Sequence, residues 1–203
     1  MSRKKVVSIP DIAVVKQNSS NSAQRLIADF ETLSEFLTLL RADNHKIVLT
    51  QGVYDLIHEG HAKYLEMAKS YGDILIVGID SDELTRKRKG KSRPIVPEKE
   101  RIEMLVHLRH VDLVFLRQLD HDIGDLIRAV KPDILVTSSS TGDFPDDLKK
   151  EYEEHCGQIV TLTPQSTTST TARIRRLTID GAEQLAEEIH TLTKQFIERI
   201  RNK

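Results

Sequence analysis

Residues 46–68 read KIVLTQGVYDLIHEGHAKYLEMA. The first five residues form a continuously apolar run, which is typical of a β-strand that is covered on both faces. The later part places small and apolar residues on one face of a helix: Ala62, Leu65 and Ala68. Gly72 supplies a natural C-cap for that helix, and His58 and His61 stand where the strand gives way to it. The segment therefore predicts a strand–turn–helix unit with two titratable rings at its turn.

The same alternation continues along the chain. Apolar runs predict four further strands: DILIVGI (73–79), VDLVFL (111–116), DILVT (133–137) and IVTLT (159–163). Helical patterns occupy the segments between them: SDELTRK (81–87), PEKERIEMLVHLR (97–109), DIGDLIRAV (122–130) and DDLKKEYEEHC (146–156). This order predicts an α/β, Rossmann-like fold with a mostly parallel five-stranded sheet and helices on both faces. Such sheets bind ligands beyond the carboxyl ends of their strands, where the strand order reverses, and the two histidines follow one such end.

The two ends of the chain predict flanking segments. Residues 1–21, which lead into the polar stretch KQNSSNS (16–22), are expected to be a flexible N-terminal arm. Residues 22–45 are expected to form a helix because apolar residues recur at spacings of three and four: Leu26, Phe30, Leu33, Leu37 and Leu40. The α/β domain is expected to span residues 46–177, and residues 178–203 to form an amphipathic helix. Its stripe either packs on its own domain or pairs with a second subunit: Leu185, Ile189, Leu192, Phe196 and Ile200.

Size and composition restrict the class of protein. A chain of 203 residues suffices for one full core, and 38% apolar with 30% charged residues fits a soluble globular protein. The net charge of −1 provides no overall field for nucleic acid or anionic membrane, so neither is an expected partner. The single cysteine, Cys156, excludes an internal disulfide and fits a reducing compartment. With no signal-peptide core and no run of ~20 apolar residues, a cytoplasmic location is expected.

The histidine pair suits an anion. If the helix begins near His58, positions 58 and 61 lie on one face, beside unpaired N–H groups and the positive end of the helix dipole. Gly60 lacks a Cβ, so a bulky ligand could approach the backbone there. The residues alone leave three interpretations open: a structural pair, two metal ligands, or a polyphosphate site. Cys156 and the other histidines show no spacing that matches a third metal ligand.

GVYDLIHEGH (52–61) resembles the G-x-F-D-x-x-H-x-G-H signature of the cytidylyltransferase-like nucleotidyltransferases, with Tyr54 in place of the usual Phe. The similarity runs from about residue 46 to 176 and includes four further segments: DILIVGIDSD (73–82), KGKSRPIVPEKER (89–101), VDLVF (111–115) and PDILV (132–136). It is closer to heptose-1-phosphate adenylyltransferase domains than to glycerol-3-phosphate cytidylyltransferase. The resemblance implies transfer of an NMP, AMP in the heptose-type enzymes, from an NTP to a small phosphorylated sugar with release of pyrophosphate. Mg²⁺ would arrive with the nucleotide, and a homodimer is expected by the same resemblance and by the C-terminal stripe.

The resemblance also implies roles for single residues. His58 and His61 would be catalytic through hydrogen bonds to the phosphates, together with Lys89 of the basic segment TRKRKGKSRP (85–94). Lys87 would bind the acceptor substrate, and no protein residue is expected to ligate a metal directly. The nucleotide would be bound by the signature, by one arginine and by a Ser/Thr-rich loop: Gly52, Val53, Tyr54, Asp55, Gly60, Arg101, Ser169, Thr170 and Thr171. Asp55 would orient the corner or the water shell of the metal.

The same segments can also be interpreted without a bound nucleotide. The basic segment could be a solvated loop or a nucleic-acid patch, Arg101 an exposed helix residue, and PQSTTSTTARIRR (164–176) a flexible linker.

Two departures from the family pattern leave the base open. Pro164 stands where glycerol-3-phosphate enzymes have an arginine, and TSSSTGDF (137–144) replaces a Gly-Gly-Asp or Gly-Asp-Asp segment. The enzymatic alternative is cytidylyl transfer to glycerol phosphate or another alcohol phosphate, and the missing arginine counts against it. The altered TSSSTGDF segment leaves nucleotide binding without catalysis as the second alternative.

Overall fold

A computed structural model describes residues 10–16, 22–140, 146–166 and 170–201. The chain divides into two compact units, Met1–Gln165 and Ser166–Lys203. We call the first the α/β unit and the second the C-terminal unit. The division falls before residue 178, where the sequence placed the start of the last segment.

The α/β unit is built on a parallel sheet. Its strands are β1 (Leu26–Ile27), β2 (Ile47–Gly52), β3 (Ile74–Asp80), β4 (Leu113–Arg117), β5 (Ile134–Ser138) and β6 (Gln158–Leu162). They lie in the order β1-β4-β3-β2-β5-β6, and every neighbouring pair is parallel. The five predicted strands are all present, and the short edge strand β1 is a sixth. Strand order reverses at β2, which has β3 on one side and β5 on the other, so the carboxyl end of β2 is the expected ligand position.

Helices cover both faces of this sheet, as predicted. They are α1 (Ile12–Lys16), α2 (Phe30–Ala42), α3 (Glu59–Lys69), α4 (Asp82–Lys89), α5 (Glu98–His107), α6 (Ile123–Val130) and α7 (Asp146–Glu153). One apolar core lies between the sheet and α2, α6 and α7, with Phe36, Leu126 and Tyr152 among its buried residues. A second core lies on the opposite face under α3 and α5, around Leu65 and Leu105. Strands β3, β4 and β5 are buried on both faces along nearly their whole length, which explains their continuous apolar sequence, whereas the edge strand β6 is partly exposed.

A close backbone contact sets the return from α3 into the sheet. Helix α3 ends at Lys69 with Ser70 as its C-cap, slightly before Gly72. A Cβ at Gly72 would lie 2.7 Å from the carbonyl oxygen of Lys46. The glycine is therefore required by the approach of two chain segments, two residues before β3 begins at Ile74.

The N-terminal region differs from the prediction. Helix α2 begins at Phe30, because Asp29 is its N-cap and accepts a hydrogen bond from the N–H of Thr32. Leu26 lies instead in β1, beside β4. Part of the predicted arm is also ordered: residues 12–16 form α1, and the side chain of Val15 is fully buried.

The C-terminal unit consists of one long helix, α8 (Thr170–Arg201), in its described part. Its start at Thr170 agrees with the helical pattern that begins at TTARIRRL (170–177), which the sequence assigned to the end of the α/β domain. Leu185, Ile189 and Leu192 of the predicted stripe are exposed, while the side chains of Phe196 and Ile200 lie outside the described part of the structure.

Among the residues described, none of the helices has the combination of length and apolar character that crossing a membrane requires.

Candidate active site

The turn between β2 and α3 is a tight corner. Tyr54 and Leu56 both have left-handed backbone conformations, with φ of 54° and 47°. The Tyr54 side chain is buried inside this corner, and its ring centroid lies 5.6 Å from that of His61. Burial, with smaller effects from Tyr64 and Asp80, raises the Tyr54 pKa well above its ordinary value, so the ring stays neutral. A Cβ at Gly52 would lie 3.2 Å from this ring, so the glycine makes room for it.

The two histidines cap the start of α3 reciprocally. His58 is the N-cap, and its Nδ1 accepts a hydrogen bond from the N–H of Gly60 at 3.0 Å. The N–H of His58 in turn points to Nδ1 of His61 at 3.4 Å. The ring centroids are 4.1 Å apart. A nitrogen that accepts a hydrogen bond carries no proton, so each neutral ring has its proton on Nε2. Both imidazoles are therefore Nε2–H donors.

His61 is neutral at physiological pH. Burial, with a smaller effect from the charge that His58 can carry, lowers its pKa to about 4, while Asp55 opposes the shift. A neutral ring donates a hydrogen bond without supplying a proton. This suits stabilisation of charge that develops on a phosphate oxygen.

The helix N-terminus contributes less directly than expected. Gly60 is buried, and its N–H is engaged by the His58 ring. The N–H groups of His61 and Ala62 both donate to the carbonyl oxygen of His58. The amides that were expected to face an anion are thus occupied by the N-cap. The cap uses Nδ1 of each imidazole and leaves the ring proton on Nε2.

Asp55 holds a neighbouring loop against the corner. Its carboxylate is buried and accepts hydrogen bonds from the N–H groups of Ile95 (3.0 Å) and Val96 (2.9 Å). It also forms an ion pair with Arg93 at 2.9 Å. These contacts agree with the expectation that Asp55 orients the corner. A role in the water shell of a metal stays a prediction.

Arg101 is buried and is not an exposed residue of its helix. Its side chain is 1% exposed and does not face solvent. The guanidinium donates to the carbonyl oxygens of Val53 (2.6 Å), Asp80 (2.9 Å) and Val96 (2.9 Å), and it pairs with Asp82 at 2.7 Å. Arg101 therefore fixes the signature segment to the end of β3 and to the loop before α5. Its contact with nucleotide phosphates stays a prediction.

The two predicted lysines lie on a helix. The segment expected to be a basic loop forms α4 up to Lys89, and Gly90 ends it with a φ of 96°. Lys87 and Lys89 are exposed. Being two residues apart on a helix, they project in different directions. A shared contact with one phosphate, as a Lys-x-Lys pair in a loop could make, does not follow from this geometry.

The Ser/Thr-rich segment is only partly described. Ser169 lies outside the described residues, and Thr170 and Thr171 open α8, with side chains that are not described. Their start-of-helix position agrees with the predicted helix N-terminus. Their phosphate contact stays a prediction.

The departure at TSSSTGDF begins at the end of β5. Thr137 is buried and its hydroxyl lies 3.0 Å from that of Thr161 on β6. Ser138 and Ser140 form a hydroxyl–hydroxyl hydrogen bond at 2.8 Å. Residues 141–145 lie outside the described part.

Sequence reasoning missed three residues that support this site. The hydroxyl of Tyr64 donates to the carbonyl oxygen of Val136 at 3.1 Å and lies 2.8 Å from that of Thr50, which holds α3 against β2 and β5. The sequence could have indicated Tyr64 as a site residue, because it stands three residues after His61 and therefore on the same helix face. Asp80 and Arg117, whose opposite charges end two apolar strands, pair with each other at 2.7 Å.

Metal ligands are a separate matter. The described residues contain no group of three or more histidine, cysteine or acidic side chains able to hold a metal ion. A divalent cation at this corner would be held by the phosphates of a bound nucleotide, as substrate.

The fold and the corner define a nucleotide-binding α/β protein with an H-x-G-H turn at the switch point of its sheet. The profile of the cytidylyltransferase-like family matches residues 49–177, and the chain belongs to this family. It is therefore a nucleotidyltransferase by class.

Relatives named bifunctional protein HldE support this assignment. The one from Desulfatibacillum aliphaticivorans is 37% identical over 160 residues, which is 78% of this chain and 32% of the relative. The one from Helicobacter pylori (strain P12) is 43% identical over 146 residues, 72% of this chain and 28% of the relative. The chain thus corresponds to about a third or less of these relatives.

Solved structures resemble the fold. The lipopolysaccharide core biosynthesis protein from Thermoplasma volcanium GSS1 has a TM-score of 0.54 and 28% identity, and the match covers 60% of this chain and 99% of that one. Pantoate-beta-alanine ligase from Francisella tularensis also has a TM-score of 0.54, over 70% of this chain and 68% of that one, at 16% identity. The second likeness concerns the fold alone.

Proposed function

We propose that the chain transfers AMP from ATP to a small phosphorylated sugar and releases pyrophosphate. The observation that carries this proposal is the pair of Nε2–H donors, on rings 4.1 Å apart, at the carboxyl end of β2. A triphosphate bound there would meet two imidazole donors fixed by backbone hydrogen bonds. Preorganised donors of this kind stabilise charge that builds up in a transition state.

The reaction needs no covalent enzyme intermediate. An oxygen of the acceptor's phosphate attacks the α-phosphorus of ATP and forms a new P–O bond. The bond between that phosphorus and the oxygen bridging to the β-phosphate breaks, and its electron pair leaves with pyrophosphate. His58 and His61 would donate to phosphate oxygens as negative charge moves toward the leaving group. Mg²⁺ would enter with the nucleotide, held by its phosphates, and would neutralise part of their charge.

Lys89 and Lys87 are proposed to extend the phosphate site from α4, with Lys89 toward the nucleotide and Lys87 toward the acceptor. Both are exposed cations on a helix whose first turn is bound by Arg101 through Asp82. Because Arg101 also binds Val53 of the signature, the α4 start and the histidine corner are mechanically connected. The hydroxyl-rich segment Ser169, Thr170 and Thr171 is proposed to contact the phosphates as well.

Adenine and a sugar phosphate are proposed on the resemblance of KGKSRPIVP (89–97) to heptose-1-phosphate adenylyltransferase domains. The HldE relatives match the same region of the chain.

We also propose a cytoplasmic homodimer. The single cysteine fits a reducing compartment, and the exposed apolar stripe of α8 supports pairing with a second copy. Light scattering after size-exclusion chromatography tests the dimer.

The deciding experiment measures pyrophosphate release with each of the four NTPs, Mg²⁺ and a panel of sugar 1-phosphates plus glycerol 3-phosphate. Release with ATP and a sugar phosphate is the expected result, whereas release with CTP and glycerol phosphate would replace the proposal with cytidylyl transfer. Thermal unfolding with each NTP runs in parallel, since a ligand at 100-fold its Kd adds about 2.7 kcal/mol of stability. Stabilisation by ATP without release across the panel would make the chain a nucleotide binder.

A further inference from the structure

A buried carboxylate lies between two arginines at the carboxyl ends of β3 and β4. Asp80, the last residue of β3, is fully buried. Its Oδ1 accepts from Nη1 of Arg117 at 2.7 Å, and its Oδ2 accepts from Nη1 of Arg88. Arg117 ends β4 in register with Asp80, whereas Arg88 lies on α4. The carboxylate thus ties helix α4 to two strands of the sheet.

Helix α4 has little apolar surface of its own to hold it. Its sequence, DELTRKRK (82–89), contains one large apolar residue, Leu84, which is buried. The free energy gained by burying a single leucine is small compared with the entropic cost of ordering eight residues. The first turn is held by the Ser81 side chain, which accepts from the N–H of Leu84, and by the pair between Asp82 and Arg101. Arg88 supplies the corresponding tie at the last turn.

This tie also sets the rotation of the helix. Arg88 follows Leu84 by four residues and therefore shares its inward face. Successive residues are turned by about 100° around a helix axis, so Lys87 and Lys89 leave α4 on the two flanks of Arg88. Both lysines are exposed, as this arrangement requires. While Arg88 stays bound to Asp80, the flank of α4 from which each lysine side chain leaves is fixed.

We propose that Asp80 is a positioning residue that holds α4, through Arg88, in the rotation that presents Lys89 to the nucleotide phosphates. This inference rests on the proposed function, in which Lys89 binds those phosphates. Asp80 itself is fully buried and acts on substrate through the helix.

The test is Asp80→Asn, with Asp112→Asn as its matched control. Asp112 is equally enclosed, pairs with Lys69 at 2.5 Å and accepts from the N–H of Leu75 at 2.6 Å, but it lies at the amino ends of the strands. Asp80→Asn should raise the KM and Kd for ATP about tenfold, with a smaller change in kcat. Asp112→Asn should lower the unfolding temperature and leave the KM for ATP unchanged. Equal effects of the two substitutions on KM would overturn the proposal.

A double-mutant cycle shows whether the effect passes through the lysine. If Asp80 acts by placing Lys89, Asp80→Asn should weaken ATP binding little further in a Lys89→Gln background. Additive losses would contradict the proposal. Arg88→Gln removes the tie to α4 while the pair between Asp80 and Arg117 stays intact, and it should reproduce the KM effect if Asp80→Asn fails to fold.

Amide hydrogen exchange without nucleotide separates this inference from the proposed function. Asp80→Asn and Arg88→Gln should speed exchange at residues 86–90, whereas Asp112→Asn should not. If wild-type protein releases no pyrophosphate with any substrate, the proposed function fails, and this exchange difference still supports the hold of Asp80 on α4. Unchanged exchange at residues 86–90 overturns that hold, whatever the activity.

Discussion

His61 has two separable roles, and two substitutions divide them. Its Nδ1 receives the N–H of His58 at 3.4 Å and helps to cap α3, while its Nε2–H is the proposed donor to phosphate. An asparagine amide reaches roughly the position of Nδ1, and a glutamine amide roughly that of Nε2. His61→Asn therefore preserves the cap and removes the donor, whereas His61→Gln preserves a donor and removes the cap.

The expected magnitudes differ for the two variants. Loss of a donor aimed at developing charge lowers kcat by about 10²–10³, or about 2.7–4 kcal/mol of transition-state stabilisation. His61→Asn should show a loss of this size, with the KM for ATP changed far less. The capping hydrogen bond is long, so its loss in His61→Gln should cost about 0.5 kcal/mol of unfolding free energy, the low end for a helix cap. The fall in kcat should be smaller than in His61→Asn.

The assay is pyrophosphate release at varied ATP, which yields kcat and KM separately, combined with urea unfolding of each variant. If His61→Asn turned over like the wild type, the Nε2–H would have no catalytic role. A larger loss of kcat in His61→Gln than in His61→Asn would mean that capping, rather than donation, is what the reaction needs.

Three other substitutions or conditions test the same corner. Burial lowers the His61 pKa to about 4 from an ordinary 6.5, so the fold favours the neutral ring, and this contribution to stability is complete above pH 6.5 and is lost as the pH falls toward 4. In urea unfolding between pH 7 and 4.5, the unfolding free energy of His61→Asn should therefore depend less on pH than that of the wild type. Equal slopes would contradict the assignment. Asp55→Asn should lower the unfolding free energy by about 2–3 kcal/mol. This loss is smaller than that expected for a fully buried ion pair, because the side chain of Arg93 is 21% exposed. A change under about 0.5 kcal/mol in urea unfolding would show that the pair does not stabilise the fold. Lys89→Gln should weaken ATP binding about tenfold at low salt, and the difference from the wild type should shrink as the salt concentration rises. Calorimetric titration measures this affinity. An unchanged affinity at low salt would show that Lys89 does not belong to the site.

The core of the fold was predictable because its signals are local and strong. Four of the five predicted strands are apolar runs that are mostly buried on both faces, and the edge strand β6 is partly exposed; the helices between them follow periodicity and caps such as Ser81. The two-residue strand β1 carries no such signal. Leu26 stands four residues before Phe30, so it mimics the helical spacing of α2, although Asp29 at the N-cap marks where that helix begins.

The site was predictable to the level of the motif and not to the level of its contacts. The positions of His58 and His61 follow from a strand–turn–helix pattern, whereas their reciprocal capping depends on ring orientation. Arg101 shows the limit more clearly: a charged residue on an amphipathic helix is usually exposed, yet here it is buried because three carbonyl oxygens and a carboxylate converge on it. Those acceptors come from separate parts of the chain, and local sequence carries no record of their convergence.

The reciprocal histidine cap has a consequence for protein engineering. A serine at position 58 with a glutamate at position 61 would form the usual capping box and would strengthen the helix start. The same change would delete both imidazoles and set a carboxylate against the incoming polyanion. Under the proposed function, thermostability campaigns guided by helix rules alone would select stable variants with little activity, and positions 58 and 61 should be held constant in any such library.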